Sequence, residues 1–300
     1  SSPASFFLEG CGFWSLEQQE GLHYRYARSA PESHYARKNI GYLIAMEKGA
    51  GSIMESDDDN LARDIFWKTR DPLVQAAVIE HRGWTNVYRY FTERTVWPRG
   101  FPLEKIQEPL PEPTTVRSVF CPIQQGLADG DPDVDAIYRL TSELPLTFHQ
   151  RSPIAIGNGS WSPFNSQNTH WFPEAYLLLY LPANCSFRMT DIWRSYVALR
   201  ICWANDWHVL YSNADVWQDR NEHDLMRDFA QEVVGYQNNM KICDELSALD
   251  IEPGLDHLSD NMLRCYDVFI RSGLIHKNEL KLLEAWIDDL AELKGSRNTF

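Results

Sequence analysis

The sequence predicts an α/β protein with a helical C-terminal part, and three observations predict it. Residues 36–60 read as a helix, a short loop, a buried strand and an acidic turn in immediate succession. Short apolar runs at 74–79, 116–123, 153–157 and 209–211 have strand length and are separated by helical or turn-rich segments. From residue 222 onward the strand signals fade and helical patterns take over.

Taken in order, residues 13–16 read as a short strand that 17–20 continue in polar form. A doubly wound domain opens with a strand, a helix and a second strand, and the first β–α pair is missing here. Residues 36–46 place Ile40, Leu43, Ile44 and Met46 near one helical face. Lys48 and the glycines Gly49 and Gly51 stop that helix. Ile53 and Met54 then lead into Asp57-Asp58-Asp59, a turn at the carboxyl end of a strand, where ligands bind in open α/β sheets. Three adjacent carboxylates repel one another unless water or a cation lies close. A solvated acidic turn is the plain alternative.

Residues 61–67 are helical or irregular, 74–79 a strand, and 96–102 a Pro- and Gly-rich loop. Residues 116–123 read as a strand, 126–132 as a second acidic loop and 134–140 as a helix. The strand at 153–157 precedes a polar loop at 158–169; 175–181 is strand or helix. A helix at 191–203 carries Asp191 in its first turn, a favourable place in the helix dipole. In the last quarter, 223–234, 239–249, 260–272 and 277–293 are helical. Leu280, Leu283, Trp286, Ile287, Leu290 and Leu293 form a stripe at i, i+3, i+4 spacing. The division expected is a core of residues 1–221 with a helical region, 222–300, packed on it.

Composition narrows the function. A net charge of −14 excludes nucleic acid and anionic lipid as natural partners, since both are bound through basic surface. An acidic chain that handles an anionic ligand needs a cation or a local basic cluster. The six cysteines have no C-x-x-C spacing, which argues against zinc and against a disulfide framework. No apolar run reaches the ~18 residues of a membrane span. Aromatic residues make up 13% of the chain, a load common in carbohydrate sites, although most such rings serve the core.

Several stretches together resemble a known family. These are Tyr35-Ala36-Arg37-Lys38-Asn39-Ile40-Gly41-Tyr42-Leu43 with the 53–59 segment, Val96 through Leu103, Ile123 through Leu127 with Asp131 through Ala136, and Thr190 through Ser195. In this order, across residues 11–228, they resemble the STELLO-type glycosyltransferase domain. A more distant similarity is to plant reversibly glycosylated polypeptides, the UDP-arabinopyranose mutases.

The resemblance implies a GT-A fold, a Rossmann-like sheet that binds a nucleotide sugar at an Asp-x-Asp metal site. It implies Mn²⁺ or Mg²⁺ as cofactor, held by Asp59 and Asp57 with Asp58 a candidate if the register shifts. His223 is a further ligand by the same pattern, with capping or packing as its alternative. Arg37, Lys38 and Asn39 would meet the donor. The chemistry is consistent, since a divalent cation stabilises a departing nucleoside diphosphate as a Lewis acid.

Asp191 is the expected general base, because an acceptor hydroxyl must lose its proton as the new bond forms. Helix capping with Thr190 is the competing role. Arg194, one turn on, is placed on the donor phosphate. Trp97, Arg99, Asp133, Asp135 and Asn168 are candidates for contacts to acceptor or donor sugar, with a structural loop as the alternative for each. The function expected is metal-dependent transfer from a nucleotide sugar, with UDP-sugars foremost, to a glycan or other hydroxyl acceptor, inverting if Asp191 is the base. A nucleotide-sugar mutase and a non-catalytic scaffold of the same fold are the rivals. By family habit the compartment is Golgi lumen, with cytoplasm the alternative.

Overall fold

A computed structural model of the chain describes residues 6–221 and 223–297. The 221/222 boundary and the outermost residues of both expected domains therefore lie partly outside the described residues. The chain opens with two short helices, α1 (Leu16–Glu20) and α2 (Arg25–Ser29). The strand expected at 13–16 is corrected: Ser15 begins a capping box with Gln18, each side chain satisfying the other's backbone N–H. Helix α3 (Lys38–Glu47) buries Ile40, Leu43, Ile44 and Met46, the face that the apolar spacing marked.

Strands follow: β1 (Ile53–Ser56), β2 (Asn60–Ala62), β3 (Leu73–Ile79), β4 (Gly83–Trp84), β5 (Arg117–Phe120) and β6 (Ile123–Gly130). After α4 (Ala136–Thr141) come β7 (Ile154–Ile156), β8 (Ser160–Trp161) and β9 (Asn168–Trp171). Helix α5 (Thr190–Ala204) then leads into β10 (Val209–Gln218). The chain closes with α6 (Leu225–Ser247), α7 (Leu258–Arg271) and α8 (Glu279–Arg297). Two helices expected at 223–234 and 239–249 are one continuous α6, since nothing between them breaks a helix. The segment 175–181, readable as strand or helix, falls for the most part in a 3₁₀ helix, Pro173–Leu179.

The main sheet is mixed, in the order β1–β9–β6–β10–β7–β3–β5, with β2 paired to the far end of β10. Strands β6 and β10 run parallel, and β9 runs antiparallel to both β6 and β1. Strands β1, β6 and β10 therefore point the same way, and their carboxyl ends open onto one side. This architecture is compatible with a Rossmann-like glycosyltransferase fold. The acidic loop expected at 126–132 is mostly the end of β6, every residue of which is buried. Asp129 is tolerated there because Arg63 pairs with it at 2.8 Å.

Helices α5–α8 share one apolar core with the sheet, running from Tyr24 and Leu43 through Trp193 and Tyr196 to Ile242, Tyr266 and Trp286. Leu283, Trp286 and Leu290 of the α8 stripe lie in it. Among the described residues no helix is long and apolar enough to cross a membrane.

Candidate active site

The three co-directed strands deliver their following loops to a single cavity of about 220 Å³. After β1 come Asp57, Asp58 and Asp59; after β6 comes Asp133; at the end of β10 come Gln218, Arg220, Asn221 and His223. The amino-terminal end of α5 adds Arg188 and Asp191 from the fourth side.

Backbone bonds fix the acidic turn. The Asp57 N–H donates to the Gln167 carbonyl at 3.2 Å, and the Asp59 carbonyl accepts from the Asp219 N–H at 3.2 Å. The Asp57 Oδ1 accepts from Lys38 Nζ at 3.0 Å and from the Tyr35 hydroxyl at 3.4 Å. Burial raises the Asp57 carboxyl above the usual range, with the Lys38 ammonium opposing that shift. The Asp59 Oδ1 accepts from Gln218 Nε2 at 2.9 Å, and its Oδ2 from Asn221 N at 3.3 Å. Asp58 is exposed at the rim.

The opposite wall is a clamp. Arg99, 6% exposed, donates Nε and Nη2 to Asp133 at 2.8 and 2.7 Å. It donates Nη1 and Nη2 to Asp191 at 3.0 and 2.9 Å. Gly100 makes the next turn possible at φ +88, where a side chain would collide with Ile192. Gly130 does the same at the end of β6, at φ +87 against the Gln218 carbonyl.

The second oxygen of Asp191 also accepts from the N–H and the hydroxyl of Ser166, both at 3.2 Å. Burial alone would raise this carboxyl, but Arg99 outweighs it and holds Asp191 well below the usual carboxylate range. Helix capping is not its role, for α5 has no side-chain cap.

Two arginines that the sequence reading passed over complete the wall. Arg188 is oriented by Glu232 of α6, whose Oε1 accepts from Arg188 Nε at 2.9 Å. Arg220 is oriented by Asp228 of α6 at 3.2 Å. The Nη2 of Arg188 lies 2.9 Å from the same Glu232 oxygen, whereas the buried Nε of Arg220 has no hydrogen-bond partner. His223 lies beside the same Asp228, at 3.3 Å, and burial with the neighbouring Arg220 lowers its pKa. Tyr35 and the half-exposed Phe187 form the mouth. Arg188 stands just before the Thr190–Ser195 stretch, and Arg220 three residues before His223.

Other expected site residues are placed elsewhere. Arg194 does not reach the cavity: it is 1% exposed and forms a two-point pair with Glu55, Nη2 to Oε1 at 2.7 Å and Nη1 to Oε2 at 3.0 Å. Glu55 is a buried carboxylate on β1 that also accepts from Trp171 and Tyr42, so it requires that cation. Asn39 is fully buried and ties Tyr26 and Leu181 together. Arg37 bonds Gln19 and the carbonyl of Ala30. Trp97 donates to Asp135 at 2.6 Å, while Asp135 caps α4 through Tyr138 N at 2.8 Å. Asn168 bonds Asp215 inside the sheet. Lys38 borders the cavity through Asp57 and the Tyr35 hydroxyl, at 3.0 and 2.8 Å. These side chains hold the fold around the cavity.

Among the described residues no three His, Cys, Asp or Glu side chains converge into a metal cage. Asp57 and Asp59 nonetheless fit a hard divalent cation in kind, because such ions take one or two carboxylates and complete their shell with substrate phosphates and water. The charges point the same way. Five aspartates line the cavity against three arginines, a surplus of two negative charges.

Comparison with known proteins identifies relatives of the chain. A family model described as STELLO glycosyltransferases matches residues 188–297, beginning at Arg188 and including Asp191, Arg220 and His223. The chain is 33% identical over 223 residues, 67% of its length, to probable glycosyltransferase STELLO2 of Arabidopsis thaliana. It is a relative of the STELLO glycosyltransferases. STELLO1 of the same plant is likewise 33% identical over 224 residues, 68% of this chain. Each match spans 29% of the relative's own length, so the STELLO resemblance concerns a part of those proteins.

Proposed function

We propose that the chain is a metal-dependent glycosyltransferase domain that uses a nucleotide sugar, a UDP-sugar first among the candidates. The observation that carries this reading is the surplus of two negative charges in a cavity that also holds Arg188 and Arg220, the latter with an unpartnered buried Nε. A divalent cation would cancel that surplus and so remove the net repulsion that a nucleoside diphosphate would otherwise meet. Asp57 and Asp59 would hold Mn²⁺ or Mg²⁺, which would act as a Lewis acid toward the departing diphosphate. Arg188 and Arg220 would take the phosphate oxygens that the metal leaves free. His223 has its Nδ1 against Asp228 and adds a neutral ring at the same wall.

Asp191 would receive the acceptor hydroxyl. Its Oδ1 carries one hydrogen bond, from Arg99, and has room for another. The Arg99 pair keeps it ionised at any physiological pH. It also makes it a weak base, so the proton would be taken late, as the carbon–oxygen bond forms. Direct displacement with this base inverts the anomeric centre.

The test is incubation with a panel of nucleotide sugars, with Mn²⁺ or with EDTA, followed by NMR of the anomeric proton. Release of sugar or transfer to an alcohol acceptor only with metal, with inversion, is the expected outcome. Conversion of the donor sugar without an acceptor would favour a mutase. No turnover, with the cavity still binding nucleotide, would favour a scaffold.

A further inference from the structure

No tryptophan lines the cavity described above, yet the chain carries 11. Three of them line a second and larger cavity, of about 670 Å³, at the opposite end of α5. Asp191 sits in the first turn of that helix, while Trp203 and Ala204 close its last turn. At ~1.5 Å rise per residue the two cavities are separated by roughly 20 Å. The volume lies within the ~300–1,000 Å³ typical of ligand pockets.

The pairing of β4 with β8 sets Trp84 beside Trp161, ring centroids 6.2 Å apart. Trp203 follows at 4.3 Å from Trp161, at the partly exposed end of the row. Trp161 Nε1 donates to Ser247 at 3.3 Å, whereas the buried Nε1 of Trp203 has no partner. A buried N–H left unpaired is costly unless something in the cavity accepts from it.

The charge around these rings runs against the rest of the molecule. Arg82, Lys105 and Arg200 line the cavity against Asp244, a surplus of two positive charges in a chain of net charge −14. Arg200 is anchored by the carbonyls of Leu246 and Leu249, at 2.8 and 2.5 Å, with no carboxylate in its grip. Lys105 reaches Glu108 at 2.6 Å, so a ligand would compete for it. Arg82 is exposed at the rim.

We infer that this cavity binds an acidic oligosaccharide, a chain of pyranose units bearing carboxylates. The partly exposed Trp203 ring, backed by the buried Trp161 and Trp84, offers an apolar face to a sugar; guanidinium and ammonium groups pair with carboxylates, and Ser247, Asn158 and the free indole N–H match hydroxyls. A neutral glycan would leave the positive surplus unanswered, and a free phosphate would leave the indoles unused. Its distance from Asp191 makes it a grip on a chain and separates it from the transfer chemistry. The inference does not depend on the metal or the donor.

Titration calorimetry on the whole 300-residue chain tests it, with trigalacturonate, uncharged maltotriose and inorganic phosphate as probes. Trigalacturonate should bind at least about tenfold more tightly than either of the others. Its affinity should fall several-fold when salt is raised to ~0.3 M. Trp203→Ala and Arg82→Glu should each weaken it about tenfold, whereas Asp59→Ala should leave it unchanged. Arg82 is exposed, so its reversal leaves the fold intact and separates lost binding from lost structure. No binding of trigalacturonate would overturn the inference. So would binding that survives both cavity variants but disappears in Asp59→Ala, which would place the sugar in the other cavity.

Discussion

The two walls of the acidic cavity are built from the same residue type and do opposite work. On one side Asp133 and Asp191 have their oxygens taken up by Arg99 and Ser166, and all three charged groups are almost fully buried. On the other, Asp57 holds one ammonium, Asp59 holds neutral amides, and Asp58 is exposed. A carboxylate committed to a buried guanidinium stabilises the fold and stays charged. A carboxylate satisfied only by amides keeps its negative charge available to a cation. The aspartate count alone does not single out candidate cation ligands; their partners do.

That contrast can be broken in order of expected effect. Arg99→Ala should destabilise the chain by about 3–5 kcal/mol in urea unfolding, because it leaves Asp133 and Asp191 buried and unpaired. A loss below ~1 kcal/mol would mean the clamp is not structural. Next, Asp59→Ala should fold normally yet lose the stabilisation that Mn²⁺ with nucleotide gives the parent chain. At ligand near 100 times Kd that stabilisation is about 2.7 kcal/mol. Retention of the full effect in thermal scans would remove the metal assignment. Asp191→Asn keeps the shape of the clamp and should spare donor binding while lowering transfer by about 10²–10⁴-fold. Unchanged transfer rates would end its role as base.

The smallest effect concerns Asp135, whose carboxyl burial lifts to about 7 against the hydrogen bonds from Tyr138 and Trp97. A raised carboxyl binds its proton more tightly in the folded chain. Its contribution therefore stabilises as pH falls from about 7 toward ~4 and is lost as pH rises through 7. Asp135→Asn should flatten that part of the stability profile, which denaturant midpoints across pH 4–8 would reveal. An unaltered slope would contradict it.

Much of this was legible in the sequence where local pattern and tertiary role coincide. The apolar face of α3, the strand leading into Asp57 and the stripe of α8 were readable because burial follows their periodicity. The loop expected at 126–132 failed for a tertiary reason: Gly, Asp and Gly are turn residues by composition, but β6 lies between β9 and β10 and Arg63 neutralises its Asp129. In the site, the acidic turn was legible as a cluster. Arg188 and Arg220 were not, because their orientation depends on Glu232 and Asp228 of a helix that follows them in the chain. Arg194 looked like the phosphate ligand because it stands one turn from Asp191, and only the fold reveals Glu55 waiting for it.

As proposed, this cavity would hold a nucleoside diphosphate only together with a divalent cation. Thermal shift of the unmodified chain with UDP, GDP and their sugars, each with Mn²⁺ and with EDTA, tests it most directly. A rise in Tm is expected for one nucleotide class when metal and nucleotide are both present, and none with either alone. An equal rise in EDTA would contradict it, as would no rise with any nucleotide.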